Sequence, residues 1–333
     1  ALAGLRNVYM ERGDFDGYMA YTATLGSFAR VEMNERDSLM FVSAQRLYLR
    51  GEKGQAKESF AKYLTAFPDG RFVTGANYYI GDCQYVEQDY EGALTSYMYV
   101  AQQPRSMYTE DALLRSGELL YKSGKYAESC TMFQRLEEEA EVVANKTEAI
   151  IGQMRCQQHL GDLDKCVDGA GKVIDMVGAT PEILREAKYL RATSLIKLSR
   201  ESEAMDDLKE LSYNTKSEEG AEAKYRIAQI YFDNKEYAAA EKEVFDYVEN
   251  GTPHQYWLAR SFVLLADIYH VQGDDFQARQ YLESLRENYK SEDDDIAEMI
   301  DTRFSEWQAD LGSSSLPDDY DAEEQQVDTT ITE

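Results

Sequence analysis

One short pattern of small, apolar and polar positions recurs along this chain. It reads Gly, a spacer, an aromatic, a small residue three positions on, and a bulky apolar residue four after that. The clearest copy is Gly124, Tyr126, Ser129, Phe133. Aligned on the turn residue, the copies fall at Gly13, Gly51, Gln88, Gly124, Gly161, Ser199, Lys235 and Gly273, spaced 36 to 38 residues apart. Five residues after each turn stand Tyr18, Ala56, Ala93, Ser129, Cys166, Ala204, Ala240 and Ala278. Seven before stand Arg6, Ala44, Gly81, Gly117, Met154, Ala192, Ala228 and Ala266. Small residues on both sides of a turn let two helices approach closely, while larger ones such as Leu47, Phe60, Leu120, Phe133, Leu195 and Leu208 fill the space beside them. The expected unit is a helical hairpin packed ridge into groove. The expected fold is all-α: a right-handed α-solenoid of about eight antiparallel hairpins.

These columns resemble the tetratricopeptide repeat family, whose pattern runs small-x-x-apolar, Gly turn, aromatic, Ala, aromatic or Leu, with Pro near the end. Pro68 and Pro253 close their repeats in the family manner, and Pro104 lies one residue early. The resemblance covers residues 1 to about 290. The family's usual repeat is about 34 residues, and this array runs longer. Its length, Phe67-Pro68 and the Tyr78–Tyr79 pair within Ala76–Gly81 resemble the longer repeats of bacterial envelope proteins. Those include the outer-membrane assembly lipoprotein and the periplasmic partner of the Tol–Pal system. A periplasmic or envelope-associated setting is what this second resemblance implies, with a cytoplasmic one left open.

The expected organisation is a repeat array over 1–290, a capping helix over 291–311 and an acidic, disordered tail over 312–333. Repeat one fits poorly, and its first helix should begin before Ala1, so further repeats are expected upstream. In repeat five, Arg155, Gln157 and Gln158 dilute the first helix and Gly169 and Gly171 weaken the second, each Gly by about 1 kcal/mol relative to Ala. That hairpin should be the softest joint. Near the end, Ile296, Met299, Ile300, Phe304 and Trp307 fall on one helical face, as a cap over the last hairpin requires.

Composition narrows the function. A formal net charge of −27 excludes phosphate-tracking contacts with nucleic acid and docking on an anionic membrane through a basic patch. Residues 291–333 hold 15 Asp or Glu and one Arg, about half of that excess. No apolar run reaches the roughly 18 residues of a membrane span. Cys83, Cys130, Cys156 and Cys166 lack the paired spacing of a zinc site and read as small buried helix residues, with a Cys156–Cys166 bridge as an alternative. His159, His254 and His270 are isolated, and no nucleotide-binding, nucleophile or metalloprotease motif occurs. An enzyme is not expected, and neither a cofactor nor a metal is called for. The sequons at Asn145 and Asn250 matter only in a eukaryotic secreted protein.

A groove is what such an array supplies. By family analogy the concave face shows the residues ten, six and three before each turn. The ten-before column includes Phe41, Tyr78, Tyr189 and Tyr225, and the three-before column Tyr48, Tyr85, Tyr121 and Phe232. Between them lie Asp82, Glu118, Arg155 and Asp267. The candidate partner-binding groove is therefore Phe41, Tyr48, Tyr78, Asp82, Tyr85, Glu118, Tyr121, Tyr189, Tyr225 and Phe232, centred on repeats two to four. Rings with polar tips bury apolar area and still hydrogen-bond, which suits a protein or peptide partner with basic and apolar residues. The competing reading is that these tyrosines only pack adjacent first helices together. Family members that grip acidic chaperone tails place Lys, Arg and Asn here, so that mode is not expected. The function expected is a non-catalytic interaction scaffold. The alternative is a docking segment of a larger enzyme whose catalytic domain lies upstream. The oligomeric state is left open.

Overall fold

The computed structural model describes residues 2–291 and 293–313. Every element among them is helical: α1 Leu2–Arg12, α2 Phe15–Thr24, α3 Met33–Leu49, α4 Lys53–Ala66, α5 Val73–Val86, α6 Tyr90–Gln102, α7 Thr109–Lys122, α8 Tyr126–Glu139, α9 Val143–Leu160, α10 Leu163–Ile174, α11 Pro181–Lys197, α12 Glu201–Ser212, α13 Glu218–Asp233, α14 Tyr237–Asn250, α15 Gln255–Val271, α16 Asp275–Asn288 and α17 Ile296–Ser313, with one 3-10 turn at Gly26–Ala29. Of α1–α16, odd-numbered helices are the first and even-numbered the second members of successive antiparallel hairpins, and α17 follows the last. The all-α hairpin fold read from the sequence is the fold observed. The tail assigned to 312–333 lies, from residue 314 on, outside the described residues.

The turns carry the register. Gly13, Gly51, Gln88, Gly124, Gly161, Ser199, Lys235 and Gly273 all have positive φ, between 56° and 84°. At each, two backbone hydrogen bonds reverse the chain; at Gly124, its own N–H donates to Tyr121 O and the next residue's N–H, Lys125, to Leu120 O. That is a Schellman ending, which satisfies the last carbonyls of the first helix and needs a left-handed residue. The residue after the turn starts the second helix, and in three hairpins its side chain caps it: Asp14, Asp89 and Asp274 accept from the N–H groups of Gly17, Gly92 and Gln277.

The chain divides into two compact units, residues 1–207 and 208–333, with the division inside α12. In the first, the small-residue columns sit at the closest helix approaches: Ala44, Ala56, Ala93, Ser129, Cys166 and Ala192 are fully buried. The tightest seam is around Phe133. A Cβ added at Gly117 or Gly152 would lie 2.8 or 2.5 Å from its ring, so glycine at both positions is what lets α7 and α9 clamp that ring. Between hairpins two and three, buried Asp37 accepts from Tyr63 Oη at 2.6 Å and from the Arg71 N–H at 3.1 Å. The Tyr63 hydroxyl in turn accepts from the Phe72 N–H at 3.0 Å. A carboxylate taken out of water is tolerable only when its lone pairs are met in this way.

In the second unit, the core runs through Tyr225, Val244, Leu265 and Ile268 to Val263, Leu282, Ile296, Ile300 and Trp307. α17 lays Ile296, Ile300 and Trp307 on α15 and α16, and Arg303 forks onto Asp267 with its Nη2 at 2.9 Å. A reciprocal clasp joins the entrances of α13 and α15: Thr215 donates to Gly251 O and Thr252 to Thr215 O, each at 2.8 Å.

Candidate functional site

In unit one, α3, α5 and α7 present tyrosines on the first-helix face of hairpins two to four. The left-handed turn folds the residue two after it back over the residue three before it. Tyr85 therefore meets Tyr90 edge-on at 5.5 Å and Tyr121 meets Tyr126 at 5.3 Å. In hairpin two the place of the second ring is taken by Lys53, whose Nζ lies 3.1 Å from the centroid of Tyr48. The same pairing joins Phe232 to Tyr237 in unit two, at 5.5 Å.

The hydroxyls reach one hairpin further. Tyr48 donates to Asp82, Tyr78 donates to Asp111 at 3.2 Å, and Gln45 donates to Tyr79 Oη at 2.8 Å. Burial pushes the Tyr48 and Tyr78 phenols up, and the carboxylate beside each pushes further, so both stay protonated donors at neutral pH. Tyr121, also raised by burial, lies 2.9 Å from His159 Nε2. The rings of Tyr78 and Tyr108 stack at 4.9 Å, and those of Phe60 and Tyr79 at 5.2 Å.

The carboxylates of this face hold cations from the chain itself. Asp82 takes Lys53 Nζ at 3.3 Å. Glu118 takes Arg115 Nη1 at 3.0 Å, and that guanidinium lies 5.3 Å from the Tyr85 ring. Arg155 forks onto Glu186 at 2.6 and 2.7 Å. The face is therefore aromatic, with charge balanced inside it, rather than a bare acidic stripe.

The ten residues proposed for a groove divide accordingly. Tyr48, Tyr78, Asp82, Tyr85, Glu118 and Tyr121 are brought together, half-buried, on adjoining first helices. Phe41 and Tyr225 do not belong in an accessible face: both are only 4% exposed. Phe41 stacks on Phe72 at 4.7 Å, and Tyr225 lies 5.7 Å from Trp257 and 5.1 Å from the Arg260 guanidinium. The physical reason is that in these hairpins the ten-before residue points into the seam, as Ile151 and Val263 do, whereas Tyr78, Leu114 and Tyr189 of the same column stay half-buried. Tyr189 packs half-buried against the core of hairpins five and six. Phe232 belongs to unit two.

Several contributors were missed. Lys53, Tyr90 and Tyr126 stand two after the turn, and Tyr79, Arg115 and Tyr108 outside the three columns chosen. The aromatic two after the turn was visible in the repeat pattern itself. Exposed apolar side chains border these rings in sequence: Leu49 at 64%, Val86 at 58% and Tyr90 at 49% exposure.

The remaining chemistry-bearing residues are engaged in packing. His159 stacks on Tyr126 at 4.1 Å, His270 stacks on Trp307 at 4.3 Å and bonds Asp275 at 2.6 Å, and a His254 ring nitrogen lies 3.0 Å from Lys216 O. All four cysteines are free. Burial pushes the Cys83 thiol up to about 11 and raises those of Cys130, Cys156 and Cys166, which leaves them poor nucleophiles. Among the described residues no group of three or more His, Cys, Asp or Glu is placed to hold a metal ion, and no helix is long and apolar enough to cross a membrane. A cavity of about 220 Å³ lies among α8, α9 and α10, lined by Glu137, Gln153, Lys165, Asp168, Gly169 and Lys172. Its Glu137 is already bonded to Gln153 at 2.7 Å and Lys172 at 3.2 Å.

Two tetratricopeptide repeat family models match the chain, one over residues 111–140 and 255–291 and the other over 189–254. Among solved structures, YrrB, described as a tetratricopeptide protein with an unusual peptide-binding site, is 19% identical. That match covers 51% of this chain and 82% of that one, with a TM-score of 0.42. A tetratricopeptide repeat protein from Parabacteroides merdae is 14% identical, covering 80% of this chain and 97% of that one, with a TM-score of 0.40. No curated protein matches the chain.

Proposed function

We propose that this chain, an all-α repeat protein of the tetratricopeptide superfamily, is a non-catalytic scaffold that binds a segment of a partner protein along the first-helix face of hairpins two to four. The observation that carries the reading is the run of half-exposed rings at Tyr48, Tyr78, Tyr85 and Tyr121, with Tyr90 packed on Tyr85 and the exposed Leu49 and Val86 next to them in sequence. Exposed apolar side chains grouped in this way mark interaction surfaces more often than they occur by default. Tyrosine adds contact area with few rotatable bonds and carries a polar tip that can hydrogen-bond. The partner segment is one with apolar and basic side chains, matched to rings and to Asp82, Asp111 and Glu118.

The test is affinity capture from the native cell with a photo-crosslinker at Val86, comparing the intact array with Tyr78, Tyr85 and Tyr121 changed to Ala. The expected result is a crosslinked partner segment that the triple variant no longer recovers while its helical circular dichroism is retained. Unchanged recovery by a folded triple variant overturns the reading. An envelope setting, suggested by the long period and the Tyr78–Tyr79 pair, is part of the proposal, and fractionation that finds the protein in the cytosol removes that part.

A further inference from the structure

We infer that Lys53 and Arg115 occupy, in the free protein, the two places that basic side chains of a partner take when it binds, so that the face reads cations one hairpin apart. This deepens the proposed peptide surface and rests on it. The two places are built alike. Each pairs by column a tyrosine three before one turn with a carboxylate six before the next: Tyr48, which donates to Asp82, and Tyr85, bridged to Glu118 by Arg115. Each is filled by a cation lying over the ring and bonded to the carboxylate. Lys53 is 3.1 Å from the Tyr48 centroid and 3.3 Å from Asp82, and Arg115 is 5.3 Å from the Tyr85 centroid and 3.0 Å from Glu118.

Ring plus carboxylate is the environment that favours an ammonium or guanidinium over its hydrated form. The filling cations are not fixtures of the repeat. The position of Lys53 carries Tyr90, Tyr126 and Tyr237 in hairpins three, four and seven. Both cations keep substantial solvent access, 27% for Lys53 and 43% for Arg115, so they can swing out. Unit two shows that the same column accepts a cation brought by a following segment. Asp267, six before its turn, receives the fork of Arg303 at 3.1 and 2.9 Å from α17, 36 residues on.

Spacing then selects the partner. Each place lies between successive first helices, so the step from one to the other is set by the width of α5, about 10 Å with its side chains. A polyproline II segment advances about 3.1 Å per residue and returns to one face every third residue, about 9 Å on. The partner is thus an extended peptide with Lys or Arg three residues apart.

The experiment is fluorescence anisotropy with three labelled proline-rich peptides of equal length. One carries Lys at i and i+3, one Lys at i and i+1, and one Glu at i and i+3. They are titrated into the wild-type chain, into Lys53→Gln/Arg115→Gln, and into Lys62→Gln/Lys146→Gln, which removes the same charge at exposed positions away from this face. Helical circular dichroism is measured on all three proteins. The expected result is a preference for the i, i+3 peptide, with roughly tenfold tighter binding to Lys53→Gln/Arg115→Gln as the competing cations are gone. The control variant should change by less than about twofold.

Equal gains in both variants, a loss in the first, or no preference for i, i+3 overturns the inference. If the Glu peptide binds best and its binding is abolished by the Tyr78, Tyr85, Tyr121 triple variant, the displacement idea falls while the peptide surface stands. If no peptide binds the wild-type chain or either variant, the inference falls, and the peptide surface is then decided by the crosslinking experiment.

Discussion

Hairpins two and three meet over large rings and a buried carboxylate, whereas hairpin five, in the same unit, is packed on smaller side chains around Ile151, Met154 and Val173, with ion pairs and a cavity at its edges. Between the first pair, Phe41, Phe60, Phe72 and Tyr79 pack ring against ring at 4.7 to 6.1 Å, and Asp37 and Tyr63 are bonded in the interior. At hairpin five the joints are Arg155 on Glu186, Lys172 on Glu137 and a cavity beside Gly169, where Gln157 Oε1 is buried without a partner among the described residues. Stacked rings bury large apolar areas and resist water, while partly exposed ion pairs are worth about 0–1 kcal/mol each. The region with the larger buried rings is also the one with the aromatic face. A scaffold that presents a surface on stiff hairpins and bends elsewhere loses less ordering entropy when it binds.

The largest way to break this contrast is Asp37→Ala. It removes the acceptor of the buried Tyr63 hydroxyl and of the partly buried Arg71 N–H, and a buried group left unsatisfied costs about 1–3 kcal/mol. A loss of about 2–4 kcal/mol is expected in denaturant unfolding, with hydrogen exchange in α3 and α4 accelerated far more than in α10. A smaller effect of the opposite sign is expected at Gly171→Ala. A Cβ there meets nothing within 4 Å, so the helix gains about 0.5–1 kcal/mol. Before the change, amides of α9 and α10 should exchange faster than those of α5 and α6, and after it the gap should narrow. Exchange slower in hairpin five than in hairpin three would remove the soft joint altogether. Smallest is Gln88→Gly. Gln88 holds φ at 64°, a conformation costing a non-glycine residue about 1–2 kcal/mol, part of which glycine's own entropy offsets. A rise in melting temperature, equivalent to about 0.5 kcal/mol, is expected, localised to hairpin three.

The turns were legible because left-handed geometry selects glycine. Once five glycines set the register, Gln88, Ser199 and Lys235 were located without one. The small-residue columns were legible for a related reason, since close helix approach leaves room for little else. The face was harder. A period of 36 to 38 residues assigns side chains to columns but does not say how far each column rotates toward the seam. Phe41 and Tyr225 therefore sit in the core, although Tyr78 in the same column is half-buried. Nor does spacing reveal that an acid is already bonded. Asp82 and Glu118 read as free charges until Lys53 and Arg115, one from the second helix of the preceding hairpin and one from the preceding turn of the same helix, are seen on them.

The most direct test of the account is residue-resolved hydrogen exchange of the whole chain with and without the i, i+3 Lys peptide at saturating concentration. Binding along the first-helix face predicts slowing confined to α3, α5 and α7 and the turns at Gly51, Gln88 and Gly124, with α4, α6 and α8 unchanged beyond their first turns. Slowing that falls on the second helices, or on the cavity among α8, α9 and α10, with α3, α5 and α7 unaffected, would contradict it.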